Sequence, residues 1–174
     1  MRFFTTLLIT ISIMLTVSCS NNSNDAGTKE TNTGENILDY VQVDSPNSFR
    51  PLGIGITVAP PEHGQNAKYF IVNKNIAESS FDYMNNAYIY RASKDRDALL
   101  SFYGDYTNNT EKNFTEDEYN ISVEYNVTSS NEKFTLWNVN DIYYALYTKI
   151  EDDRDLTNLT SLYIKSVHWH GTNQ

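Results

Sequence analysis

The strictest pattern in the chain is an alternation: Tyr119, Ile121, Val123, Tyr125 and Val127 are interleaved with Asn120, Ser122, Glu124, Asn126 and Thr128. Successive strand side chains point to opposite faces, so a period of two predicts a half-buried strand with these five apolar residues on one side. Three further runs rich in Tyr, Phe, Ile and Val, at 68–73, 76–84 and 87–92, are separated by Lys74-Asn75 and Asn85-Asn86. Both pairs have good turn chemistry, and together the runs predict a three-stranded meander. Positions 134–139 and 142–150 predict another hairpin across Asn140-Asp141. Then the period changes: Leu156, Leu159, Leu162, Tyr163 and Val167 recur at helical spacing behind Asp153 or Asp155 as N-cap. With Lys165 and His168 near its C-terminal end, 155–167 is expected to be an amphipathic helix covering one face of a sheet.

Other segments carry weaker patterns. Positions 36–43 hold Ile37, Leu38, Tyr40, Val41 and Val43 with a mixed period, compatible with a short helix or a short strand. The stretch from Phe49 to Pro61 carries Pro51, Pro60 and Pro61; proline removes a backbone donor, which leaves loops bracketing one short strand at 54–58. Residues 95–103 suit a short helix capped by Asp95 and ended by Gly104, or an irregular crossover, while 106–117 read as a polar loop. The sum is an α+β domain: a mostly antiparallel twisted sheet of about six or seven strands with a C-terminal helix on one face.

Composition adds that 174 residues, 40% hydrophobic and 13% aromatic, suit one modest domain rather than a disordered chain. Thirteen Lys and Arg against twenty-two Asp and Glu give a net charge of −9 with no basic cluster, which disfavours nucleic acid and anionic surfaces as partners. The single cysteine, Cys19, excludes internal disulfides and Cys-rich metal sites. It follows Met1-Arg2, a 15-residue apolar run at 3–17 and Ser18. That run has the length of a signal-peptide core and is short for a spanning helix. From 20 to about 34 the chain is polar and aperiodic, as expected of a flexible tether.

Thr16-Val17-Ser18-Cys19 resembles the bacterial lipoprotein signal, with Thr16 where that signal usually has Leu. The resemblance implies cleavage after Ser18 and acylation of Cys19, giving a signal peptide at 1–18, a lipidated tether at 19–36 and a single domain at 37–170. Two acyl chains would hold the protein on the extracytoplasmic face of a membrane, since one chain alone binds only marginally. Leu52-Gly53, Val58 to Pro60, Tyr88-Ile89-Tyr90-Arg91, Phe134-Thr135-Leu136-Trp137 and Tyr143-Tyr144-Ala145-Leu146, followed by a terminal helix, resemble the Gram-positive envelope family catalogued as domain of unknown function 4367. This likeness spans roughly 50–168 and implies no catalytic residues.

Candidate chemistry is sparse. His63, His168 and His170 could converge on zinc or copper, although a frayed chain end with exposed histidines explains the last two more simply. The acidic runs 116–118 and 151–155 lack the spaced pattern of a calcium loop and read as solvated loops and a helix cap, so no metal or other cofactor is expected. No GxSxG, P-loop or GxGxxG is present. Thirteen Tyr, eight Phe and two Trp could offer an aromatic face to a sugar or a peptide, or could simply be strand formers. Arg91 and Trp137 are the candidate binding residues, and both could equally be structural. The leading expectation is a lipid-anchored, non-enzymatic binding or sensing module for an envelope protein, peptide or glycan. The alternative is an envelope hydrolase with an unrecognised carboxylate or histidine centre.

Overall fold

The chain separates into two units, Met1–Glu35 and Asn36–Gln174. A computed structural model of the protein describes 38–54, 58–149 and 154–171, with backbone alone for 167–171. Ser18, Cys19, the signal and the tether lie outside the described residues, as do Asp153 and the side chains of Val167, His168 and His170.

Nine strands form one sheet among the described residues: β1 (Tyr40–Val43), β2 (Gln65–Val72), β3 (Ile76–Tyr83), β4 (Asn86–Ser93), β5 (Tyr106–Asn108), β6 (Phe114–Glu116), β7 (Ile121–Thr128), β8 (Lys133–Val139) and β9 (Ile142–Thr148). Their order is β1-β2-β3-β4-β9-β8-β7-β5, with β6 also on β7, and every pairing is antiparallel. Among the described residues two α-helices accompany the sheet, α1 (Arg96–Leu100) and α2 (Arg154–Gly171), with short 3-10 turns at Pro46–Leu52 and Thr110–Lys112. The α+β class and the C-terminal helix agree with expectation; the sheet is larger than the expected six or seven strands.

The additional strands come from segments too short or too polar to declare themselves. The loop expected at 106–117 contains β5 and β6, which share one edge of β7. Between them the chain bulges outward, and Asn113 fills the gap: its side-chain oxygen accepts from the Tyr125 N–H at 2.8 Å and its amide donates to Asn108 at 2.9 Å. A side chain there does the work of a strand backbone, which period counting cannot register. In the mixed segment at 36–43, pairing with β2 makes β1 a strand. The strand expected at 54–58 is not found at its described ends. Pro46–Leu52 forms a 3-10 turn closed by Gly53 in the left-handed region (φ 70°), and Ile54 and Val58 are both buried in the core outside any strand.

Turn positions also shift. The meander turns fall at Asn73-Lys74 and Met84-Asn85, one residue earlier than expected, and Asn140-Asp141 turns as expected; all six residues have positive φ. Positive φ at both central residues matches the twist of the flanking strands, and Asn tolerates it best after Gly. Asp95 caps α1 by accepting from the N–H groups of Asp97 and Ala98, both at 3.0 Å, but the helix ends by Ser101 and Gly104 lies beyond it. Helix α2 buries Leu156, Leu159, Tyr163 and Ile164, whereas Leu162 is 47% exposed. Leu162 stands six residues after Leu156, about 600° around the axis and so on the far side of the helix. Asp155 lies inside the first turn rather than capping it.

The sheet is covered on both faces. On one, α2 and the 3-10 turn close over Phe81, Tyr88, Tyr90, Val123, Tyr125, Trp137 and Tyr144. On the other, α1 and the residues after it close over Val72, Ile76, Phe134, Leu136 and Ala145. The five apolar residues of the alternation all pack in the α2-side core, Ile121, Val123 and Tyr125 buried and Tyr119 and Val127 partly so. The polar side of β7 is open only in part: Ser122 is exposed, whereas Asn126 is fully buried and receives a hydrogen bond from Asn108 at 3.2 Å.

Candidate ligand-binding site

Arg91 and Trp137 fall on opposite faces of the sheet. Trp137, on β8, forms a three-ring cluster with Tyr90 and Tyr144, its centroid 5.8 and 5.6 Å from theirs and theirs 6.0 Å apart, and is walled in beneath α2. No ligand can reach it without dismantling the core, so Trp137 is a packing residue. Arg91, on β4, lies opposite Glu78 on β3, and its Nε donates to the Glu78 carboxylate at 2.7 Å. The Phe102 ring sits 4.1 Å from the guanidinium carbon, and Tyr103 follows at 5.5 Å. Burial alone would lower the Arg91 pKa, but the Tyr103 hydroxyl and the Glu78 carboxylate outweigh it and raise the value, keeping the cation charged. Tyr103 itself is raised by burial, and Arg91 moderates that rise without a well-aligned hydrogen bond joining the two. This is a satisfied buried ion pair under an aromatic cover.

A different region is open. At the tips of the β2–β3–β4 meander, His63, Gln65, Asn66, Asp82, Tyr83, Met84, Asn85 and Ala87 line a cleft of about 640 Å³. Its geometry comes from local backbone chemistry. A turn in which the Gly64 N–H donates to the Pro61 carbonyl at 2.9 Å throws His63 out with φ 73°. A Cβ on Gly64 would come within 2.9 Å of the Pro60 Cβ, so the turn requires glycine. Between Gln65 and Lys68 the β2–β3 register slips, and at this bulge Asn66 takes φ 54°. Bulges of this kind re-aim side chains. Here the bulge turns the Asn66 amide onto the Asp82 carboxylate, with Nδ2 donating at 2.6 Å. Asp82 accepts no other hydrogen bond, and His63, Gln65 and Asn85 have no side-chain partner, among the described residues. Tyr83 is braced edge-on against Tyr88, whose own pKa is pushed up to about 12, first by burial and then by Asp155 and Tyr83.

Four of the eight lining residues have positive φ, and one is Met84, which is 64% exposed. Chemically the cleft offers an imidazole, three amides, a carboxylate, a phenol and a thioether, with no lysine or arginine. Among the described residues no group of three or more His, Cys, Asp or Glu could hold a metal, and no helix is long and apolar enough to cross a membrane. Sequence reasoning weighed His63 only as a metal ligand and singled out none of its neighbours in the cleft. The available signal was Met84 in a turn where Asn or Gly is cheaper. Compared with known proteins, the chain matches no family model, no curated protein and no solved structure.

Proposed function

We propose that this is a lipid-anchored binding module of the cell envelope, tethered through Cys19 to the extracytoplasmic face of a membrane, and that its ligand occupies the meander-tip cleft. One observation carries the binding reading: His63, Gln65, Asn66, Asp82 and Asn85 line a single cleft at the end of a three-stranded antiparallel meander, and His63, Gln65 and Asn85 have no side-chain partner among the described residues. Binding sites are usually concave, largely preformed and furnished with a few convergent polar groups. The lipid anchor rests on the sequence around Ser18 and Cys19, and the likeness to domain of unknown function 4367 belongs to the same proposal. Nucleic acid is not the ligand in this reading, since the lining carries no cation and the net charge is −9.

The test uses the full chain. Wild type should fractionate with membranes and Cys19→Ala should not. Purified Cys19→Ala protein, which carries no acyl chains, should still cosediment with isolated Gram-positive envelopes through its cleft, and the same protein with Asp82→Ala added and unchanged thermal stability should lose most of that binding. Equal cosedimentation of the two would sink the binding reading. The same cleft supports the second reading, an envelope hydrolase, because His63 and Asp82 both line it, and an imidazole and a carboxylate facing one cleft are acid–base equipment. Release of soluble fragments from the envelopes by wild type and not by His63→Ala would favour hydrolysis over binding.

A further inference from the structure

The make-up of the cleft narrows the class of its occupant. Its polar groups are planar: the His63 imidazole, the Gln65, Asn66 and Asn85 amides and the Asp82 carboxylate. Amides pair a donor with an acceptor at fixed separation, which suits vicinal hydroxyls that must donate and accept at once. The Asn66–Asp82 bond at 2.6 Å holds one such pair in place before any ligand arrives, so little rotamer freedom remains to be lost on binding. Charge argues the same way: Asp82, the lack of a lining Lys or Arg and the net −9 all oppose an anion.

Met84 supplies an independent observation. The three turns Asn73-Lys74, Met84-Asn85 and Asn140-Asp141 share the same left-handed backbone, and the other two open with Asn. An unbranched apolar residue in that conformation is strained, and strain held at a site rim points to a use for the side chain. Met84 stands exposed beside Tyr83 and presents apolar surface next to the polar row. An occupant must therefore show hydroxyls on one side and C–H surface on the other.

We infer that the cleft takes a neutral oligosaccharide, with Asn66 and Asp82 bonding its hydroxyls and Tyr83 and Met84 contacting the apolar face of a sugar ring. This rests on the cleft being the binding site. The experiment titrates the isotope-labelled full chain in detergent micelles with chitotriose and with maltotriose to about 10 mM, well above a millimolar Kd. Amide resonances of 63–66 and 82–87 should shift and saturate with at least one of the two sugars. Asp82→Ala should weaken that response at least tenfold, and Met84→Asn should weaken binding while raising the melting temperature. Neutral apolar tripeptides serve as the control. If the tripeptides move these resonances and neither sugar does, the cleft binds but its occupant is a peptide, and the glycan assignment falls. If no probe moves them, the glycan assignment falls and the envelope cosedimentation decides the binding reading separately. A Met84→Asn variant that is more stable and binds sugar equally well would remove Met84 from the site.

Discussion

The two faces of the sheet solve the burial of polar atoms in opposite ways. Beneath α1, a buried charged pair is matched: Glu78 receives Arg91, Phe102 and Tyr103 lie against the guanidinium, and the Tyr103 OH is the one buried side-chain polar atom of this face left without a hydrogen-bond partner among the described residues. Beneath α2, the core has no such pair and a broad aromatic packing, yet Ser79 Oγ, Tyr88 OH, Tyr90 OH, Trp137 Nε1 and Tyr163 OH are buried without hydrogen-bond partners among the described residues. An apolar-looking interior can thus carry more polar debt than one with charges in it. Tyr and Trp bring large rings to a pleated surface, and their polar tips are buried along with them. Matched polar groups occur on this face too: Thr160 bonds the Leu156 carbonyl at 2.8 Å and the Thr135 hydroxyl at 2.7 Å and so ties the helix to β8, and Thr148 donates to the Ala87 carbonyl at 3.1 Å.

The contrast can be tested by substitution. Glu78→Ala strands a buried guanidinium and should cost about 3–5 kcal/mol in urea unfolding, whereas the double change Glu78→Leu with Arg91→Met should restore most of it. A double variant as unstable as the single one would mean the charge itself, rather than its pairing, holds this face. The next effect is alkaline. Burial is the leading cause raising the pKa values of Tyr88, Tyr90 and Tyr163, so their folded values lie above the ordinary phenol value of 10 that the unfolded chain shows. A raised folded pKa contributes stability that is intact below pH 10 and declines as pH rises toward 12 and beyond, because only the unfolded chain can ionise cheaply. Phenolate absorbance should therefore rise in two stages, exposed tyrosines first and the buried set together with loss of the native circular dichroism. A single smooth titration with the fold intact would contradict the burial. The smallest effect is expected at Tyr90→Phe, which removes an unpartnered hydroxyl and should leave stability within about 1 kcal/mol of wild type or above it. A larger loss would show that the hydroxyl has a partner in solution.

Much of this architecture was legible where period and burial coincide. Strands β3, β4, β8 and β9 are covered on both faces yet rich enough in β-formers to declare themselves, and α2 follows its leucine spacing except at Leu162. What escaped was anything fixed by a partner far along the chain. Strands β5 and β6 exist because β7 has a free edge and because Asn113 bonds Tyr125 twelve residues away. Arg91 could be flagged as unusual but not as satisfied, since Glu78 faces it through register that sequence alone leaves open by one residue. The cleft was hidden for a related reason: His63 and Asp82 are nineteen positions apart, and the bulge at Asn66 that brings them to one cleft leaves no compositional mark.

The centre of the sheet sets the order in which it can be built. Strand β4 finds its inner neighbour in β9, so Tyr90 must wait for Leu146 to be synthesised. Until then the first meander has an open hydrogen-bonding edge at β4 and an aromatic surface at Tyr88 and Tyr90 that only later residues can cover. Sheets closed by distant pairings assemble slowly and expose adhesive edges while they wait. A chain held up between residues 93 and 148, whether in synthesis or in export, would present a half-sheet with β4 uncovered, which makes the last quarter of the chain the step that commits the molecule to its fold.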